Sequence, residues 1–108
     1  FTYVDDIVEG VVRTLALPAE PCPESGARHA IYNIGNHQAV GLEEYIDTLA
    51  DALGKTAIKD YQPMQAGDVP ATYADTSRLA ALTGFAPSTP LAEGIGRFVA
   101  WYKSYYHP

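Results

Sequence analysis

Five apolar residues, Leu42, Tyr45, Ile46, Leu49 and Leu53, share one side of a helical projection, and Gly54 follows them directly. A stripe of that width must bury itself against a sheet or another helix. A glycine just past the last turn supplies the left-handed backbone that ends a helix. The spacing predicts a helix over about 41–53. Ile7, Val8, Val11, Val12 and Leu15 predict a second over about 6–17, with Asp5-Asp6 at its cap and Pro18 beyond its end. A brief helix over about 76–83 is capped by Asp75 or Thr76 and followed by Gly84. Leu91, Ile95, Phe98, Tyr102 and Tyr105 line a last one over about 90–105, where Pro90 sits at the tolerated first position.

Between these helices lie short β-branched and aromatic runs. They predict strands over about 1–4 ("FTYV"), 29–34 ("AIYNIG"), 57–62 ("TAIKDYQP") and 71–74 ("ATYA"). Strands alternating with helices define an α/β class, and the broad apolar helix faces ask for a sheet to cover them. "PAEPCPESGARH" is a proline-rich loop, and the chain contains no internal repeat.

The 108 residues suffice for one domain. The net charge of −6 and the scattered basic residues give no patch able to neutralise phosphates, which argues against nucleic-acid binding. No apolar run approaches membrane-spanning length. The single Cys22 forms no internal bridge and favours a reducing, cytoplasmic setting. The chain opens on Phe1 and its only methionine is Met64, so the expectation is a piece of a longer protein.

Most candidate chemistry dissolves on inspection. His29, His37 and His107 lack metal-ligand spacing. Gly94-Ile95-Gly96 begins a dinucleotide fingerprint, but Val99 takes the third glycine position and the stretch lies inside a helix. Asp5-Asp6 and Glu43-Glu44 suit the positive ends of helices. The aromatic "WYKSYY" suits packing rather than a ligand box. What remains is "MQAGDVPATYAD", residues 64–75. Gly67 supplies a backbone angle that a side chain forbids. Asp68 then stands where its carboxylate can accept two hydrogen bonds from a ribose cis-diol, and the Gln65 amide can both donate and accept. The competing account is a turn aspartate that satisfies local backbone amides.

Four segments, "FTYVDDIVEGVVRTL", "YNIGN", "GLEEYIDTLADALGK" and "MQAGDVPATYADTSRLAALTGFAPSTPLAEGIGRFVAWYKSYY", together resemble the C-terminal part of NAD-dependent epimerase/dehydratases. These are extended short-chain dehydrogenase/reductases with a Rossmann-type fold. Met64-Gln65 resembles the UDP-glucuronate 4-epimerase branch. The resemblance implies that residues 1–108 are the C-terminal part that grips a UDP-sugar, with Asp68 on the uridine ribose and Gln65 near the ribose or diphosphate. It also implies that NAD and the catalytic groups belong to an N-terminal part outside this chain. In such enzymes NAD transiently oxidises the sugar at C4 with a tyrosine as base, and hydride returns to the other face of the rotated ring. A phosphate-binding arginine of the family falls before Phe1. No Gly-x-x-Gly-x-x-Gly occurs among the nine glycines, and no tyrosine has a lysine four residues on. The chain alone is therefore expected to be inactive, to bind no NAD and no metal, and to self-associate for want of its partner. Alternatives of the same kind are a nucleotide-sugar 4,6-dehydratase or another sugar epimerase. The alternative of a different kind is a small non-enzymatic interaction domain.

Overall fold

The structure, a computed structural model, describes residues 1–19, 21–69 and 71–106. It contains four helices: α1 (Val4–Leu15), α2 (Leu42–Leu53), α3 (Ser77–Thr83) and α4 (Leu91–Tyr106). α2 packs on α4, and α1 packs on α3. Acidic pairs occupy the first turns of α1 (Asp5, Asp6) and α2 (Glu43, Glu44), where the helix dipole favours them. α2 ends at Gly54 in the left-handed conformation, with φ of 69°, as its position after the stripe predicts. α3 ends the same way at Gly84.

The predicted α/β class is corrected by the structure. The strands expected at about 1–4, 29–34, 57–62 and 71–74 form no sheet among the described residues, whose one β contact is an isolated bridge between Pro21 and Arg28. A strand exists only through a backbone ladder to a neighbour, and these segments are held by other means. Residues 1–4 yield to α1, which starts at Val4. The 29–34 segment is held by side chains to the residues around the start of α3, just past 71–74, and not by a ladder. Asn33 Nδ2 donates to the Asp75 carbonyl at 3.3 Å, and Arg78 Nη1 donates to the Ile31 carbonyl at 3.2 Å. The 57–62 segment is bound to α2 through Lys59 and Tyr61.

The interior is small. Leu79, Ile95, Val99 and Pro87 are buried, with Thr76 beside them. Gly10 is the inward residue of α1, because a Cβ there would stand 2.9 Å from Ile34 Cγ2. The predicted apolar stripe of α1 exists, but it faces away from this interior: Val8 is 53% and Leu15 79% exposed. On α4 the buried residues are Ile95 and Val99, while Phe98, Trp101, Tyr105 and Tyr106 form an exposed aromatic cluster with centroid spacings of 4.9 to 6.3 Å. The radius of gyration is 17.8 Å. A compact chain of this length would measure about 13 Å. Much apolar surface therefore finds no cover within these residues.

Asp6, expected at a helix cap, does something else. The cap position is Tyr3, and the Asp6 carboxylate crosses to the segment before α4. It accepts the backbone N–H of Ser88 at 3.2 Å, the N–H of Thr89 at 2.9 Å and the Thr89 hydroxyl at 2.9 Å. Hydrogen bonds to an ionised, half-buried acceptor are stronger than neutral ones. Asp6→Ala should cost about 2 kcal/mol in urea denaturation, and Asp6→Asn, which keeps one acceptor oxygen, should cost less. Equal stability of all three proteins would show that the crossing is incidental.

Candidate functional site

Gln65-Ala66-Gly67-Asp68 forms a tight turn closed by the Asp68 N–H on the Gln65 carbonyl at 3.1 Å. Gly67 has φ of 90°, the positive value that the third position of a type II turn requires. A side chain at Gly67 would be strained even though nothing lies within 4 Å of the position its Cβ would take. Both predicted site residues are exposed on this turn. Asp68 Oδ1 accepts the Val69 N–H at 2.9 Å. The other carboxylate oxygen and the whole Gln65 amide have no hydrogen-bond partner among the described residues. The turn brings the two residues together, and one oxygen of Asp68 serves the local backbone while the other stays open to solvent. Pro70 lies outside the described residues.

The limbs of this turn are tied at their feet. On the incoming limb, Lys59 Nζ bridges Glu43 at 2.5 Å and Asp47 at 2.7 Å, and Tyr61 Oη donates to Glu43 at 2.8 Å. Glu43 and Asp47 stand four apart on α2, so both reach the same ammonium. On the outgoing limb, Asp75 Oδ1 accepts the Ser77 N–H at 3.0 Å; of the two expected caps the position itself falls to Thr76, whose side chain makes no capping bond. The bond from Ser77 holds the Asp75 carboxyl below the usual range. A Cβ on Gly35 would stand 2.9 Å from Ala74 Cβ, so the limb approaches the "YNIGN" segment closely at that point.

A mainly apolar concavity lies elsewhere. A cleft of about 260 Å³ is lined by Phe1, Tyr3, Asn36, Tyr45, Thr89 and Phe98, among others, with Phe1 stacked on Tyr45 at 4.1 Å. It includes neither Gln65 nor Asp68. Its polar groups are already engaged: Thr2 Oγ1 accepts the Asn36 N–H, Asn36 Nδ2 donates to the Thr89 carbonyl, and the Thr89 hydroxyl donates to Asp6. A pocket whose donors and acceptors are spent on the fold is a packing feature. No spacing in the sequence joins residues 1–3 to 36, 45 and 89, so the cleft was invisible there. No group of His, Cys, Asp and Glu among the described residues is arranged to hold a metal. Cys22 is half-buried and donates to Glu24 at 3.0 Å. His29 and His37 are exposed, and His107 lies outside the described residues.

No protein-family model matches the chain. Whole proteins do. It is 42% identical over 116 residues to Protein CapI of Staphylococcus aureus, covering 98% of this chain and 35% of that protein. It is 42% identical to a probable UDP-glucuronate 4-epimerase of Rhizobium meliloti, covering 98% of this chain and 34% of that one. Among solved structures, UDP-glucuronic acid 4-epimerase from Bacillus cereus, in complex with UDP-glucuronic acid and NAD, matches 96% of this chain with a TM-score of 0.78 and 26% identity. The match covers 31% of that protein. MoeE5 in complex with UDP-glucuronic acid and NAD matches 96% of the chain with a TM-score of 0.80 and 28% identity, over 32% of its own length. The chain is thus similar, over nearly its whole length, to part of nucleotide-sugar epimerases, some of them solved with NAD. Within them it is similar to the UDP-glucuronate 4-epimerases, and it spans about a third of the length of the curated relatives it matches.

The Lys59 tether has a defined pH range. Glu43 is held below its ordinary value of 4.5, first by the Lys59 hydrogen bond and then by Tyr61. Tyr61 is pushed above 10.0 chiefly by Glu43, and Lys59 above 10.5 chiefly by Asp47 and then Glu43. The depressed carboxyl contributes stability that is present above about pH 4.5 and is lost as pH falls through the lower folded value. The two raised groups contribute below about pH 10 and lose their contribution above it. These groups are at the surface, so the effect is small and screened by salt. The expected result is a modest excess of wild-type melting temperature over Glu43→Gln at pH 7 that narrows as pH falls below about 4.5. A gap that stays constant as the carboxyl is titrated in acid would contradict the tether.

Proposed function

We propose that this chain is the substrate-gripping, C-terminal part of an NAD-dependent UDP-sugar 4-epimerase that acts on UDP-glucuronate. The observation that carries this reading is the match of nearly the whole chain, in sequence to UDP-glucuronate 4-epimerases and in fold to proteins solved with UDP-glucuronic acid and NAD. In this reading Asp68 offers its carboxylate to the ribose diol and Gln65 lies near the ribose or diphosphate. The exposed Asp68 oxygen and Gln65 amide are free to meet a ligand in this reading, since neither is spent on the fold. The glycine cradle for NAD and the catalytic tyrosine and lysine are absent from this sequence. Cofactor binding, the C4 chemistry and proton transfer are therefore assigned to the N-terminal part of a longer, cytoplasmic enzyme.

In the full-length protein, Asp68→Ala should raise KM for the UDP-sugar and leave kcat nearly unchanged. A ribose contact remote from C4 is made equally in ground and transition states. Losing a charged acceptor that serves two hydroxyls should lower kcat/KM roughly ten- to hundredfold. Asp68→Asn keeps the shape and most turn-forming ability, and it isolates the charge. If both variants bind UDP as tightly as wild type while the melting temperature falls, Asp68 is a turn residue only.

The exposed faces of α1 and α4 support a second element of the reading, that residues 1–108 without their N-terminal partner self-associate. Sedimentation of the isolated chain should show oligomers that grow with concentration. A tight monomer at high concentration would mean that these faces need no cover.

A further inference from the structure

The arm that carries Gln65 and Asp68 runs from Gln62 to Ala74. Among the described residues, its hydrogen bonds remain within the arm or reach only adjacent Asp60: Gln62 Nε2 to Asp60, Asp68 N–H to the Gln65 carbonyl, and Val69 N–H to Asp68. Within this chain the turn is placed by its two feet alone. The outgoing foot is secured partly through its own backbone, since the Asp75 carbonyl accepts from the Asn33 side chain, and it runs directly into α3. The incoming foot is secured by side chains only, since no backbone hydrogen bond joins residues 57–63 to another element. Two bonds from Lys59 to α2 and one from Tyr61 to Glu43 set where the limb leaves the helix. The Lys59 side chain is 24% exposed although it lies on a surface, because the two carboxylates enclose it.

We propose that Lys59, with Tyr61 beside it, is a positioning residue for substrate binding: it fixes the incoming foot of the arm on α2 and so fixes the Asp68 carboxylate for the ribose. The inference rests on the reading of Asp68 as the ribose contact. An arm released at one foot samples many placements, and the substrate must then select the productive one, which weakens binding by the fraction of time the arm is correctly placed. Lys59 touches neither substrate nor cofactor, so the chemical step is untouched once the substrate is bound.

The test is a double-mutant cycle in the full-length enzyme, using UDP-glucuronate turnover and calorimetric binding of UDP. Lys59→Met should raise KM roughly three- to tenfold with kcat unchanged, and Lys59→Arg, which retains the charge and both carboxylate contacts, should restore most of the loss. Tyr61→Phe, a change too small to unfold the protein, should shift KM in the same direction by less. In the double variant Lys59→Met/Asp68→Ala, the further loss from Lys59→Met should be clearly smaller than in the wild type, because Lys59 acts largely through Asp68. A merely stabilising lysine would lower the melting temperature, leave KM unmoved and add to Asp68→Ala independently, and that result overturns the proposal. If Asp68→Ala raises KM while Lys59→Met and Tyr61→Phe do not, the ribose contact stands and the positioning role falls. If Asp68→Ala leaves KM and UDP binding unchanged, the ribose reading falls and takes this inference with it.

Discussion

The Asp6 carboxylate is the constraint on which the arrangement turns. It lies in the first turn of α1 and holds Ser88 and Thr89, which stand just before α4. Through Thr89 it reaches Asn36, whose amide donates to the Thr89 carbonyl and whose backbone N–H is held by Thr2. One acidic side chain thus joins the start of the chain, the "YNIGN" segment and the last helix. Arg97 adds a weaker link from α4 back to Asp5, at 3.7 Å, and lies over the Tyr3 ring at 5.4 Å. With an interior this small, polar crossings of this kind carry an unusual share of the tertiary order. They are directional, so they specify where α1 and α4 meet more sharply than apolar contact does.

The helices were legible in the sequence because their signals are local. Stripes at helical spacing, Gly54 and Gly84 past the last turns, and Pro90 before α4 each act within a few residues, and the observed ends differ from the expected ones by two residues for α1 and by one or none elsewhere. The strands were misread for the opposite reason. Alternating β-branched residues report that a segment is extended and do not report whether a partner lies alongside it. Residues 57–62 show the difference: Ala57 and Lys59 turn toward the chain while Ile58 is 100% exposed, the alternation of a strand with no ladder beside it. Asp6 was misplaced because a carboxylate near a helix start has a local role available, and only the tertiary structure reveals the remote one.

The candidate site divides in the same way. The turn was legible, since Gly67 needs a positive φ and Asp68 follows it. Its supports were not. Lys59 pairs with residues 12 and 16 positions earlier, and Asn33 with one 42 positions later. Charges that look scattered along the sequence are gathered by the fold into one node on α2.

That gathering bears on the substrate. A UDP-sugar carries a diphosphate, and the chain has a net charge of −6. The cations flanking the arm are committed elsewhere, Lys59 before it to Glu43 and Asp47, and Arg78 on α3 to the Ile31 carbonyl and the Tyr32 ring at 5.3 Å. Releasing either to meet a phosphate would leave a carboxylate pair or a backbone carbonyl unanswered. The turn is therefore suited to the hydroxyls of a ribose, which need an acceptor, and poorly suited to the diphosphate, which needs donors of positive charge. An exposed acceptor on an acidic surface thus favours the hydroxyl end of a nucleotide over its anionic bridge, which fits the ribose role proposed for Asp68.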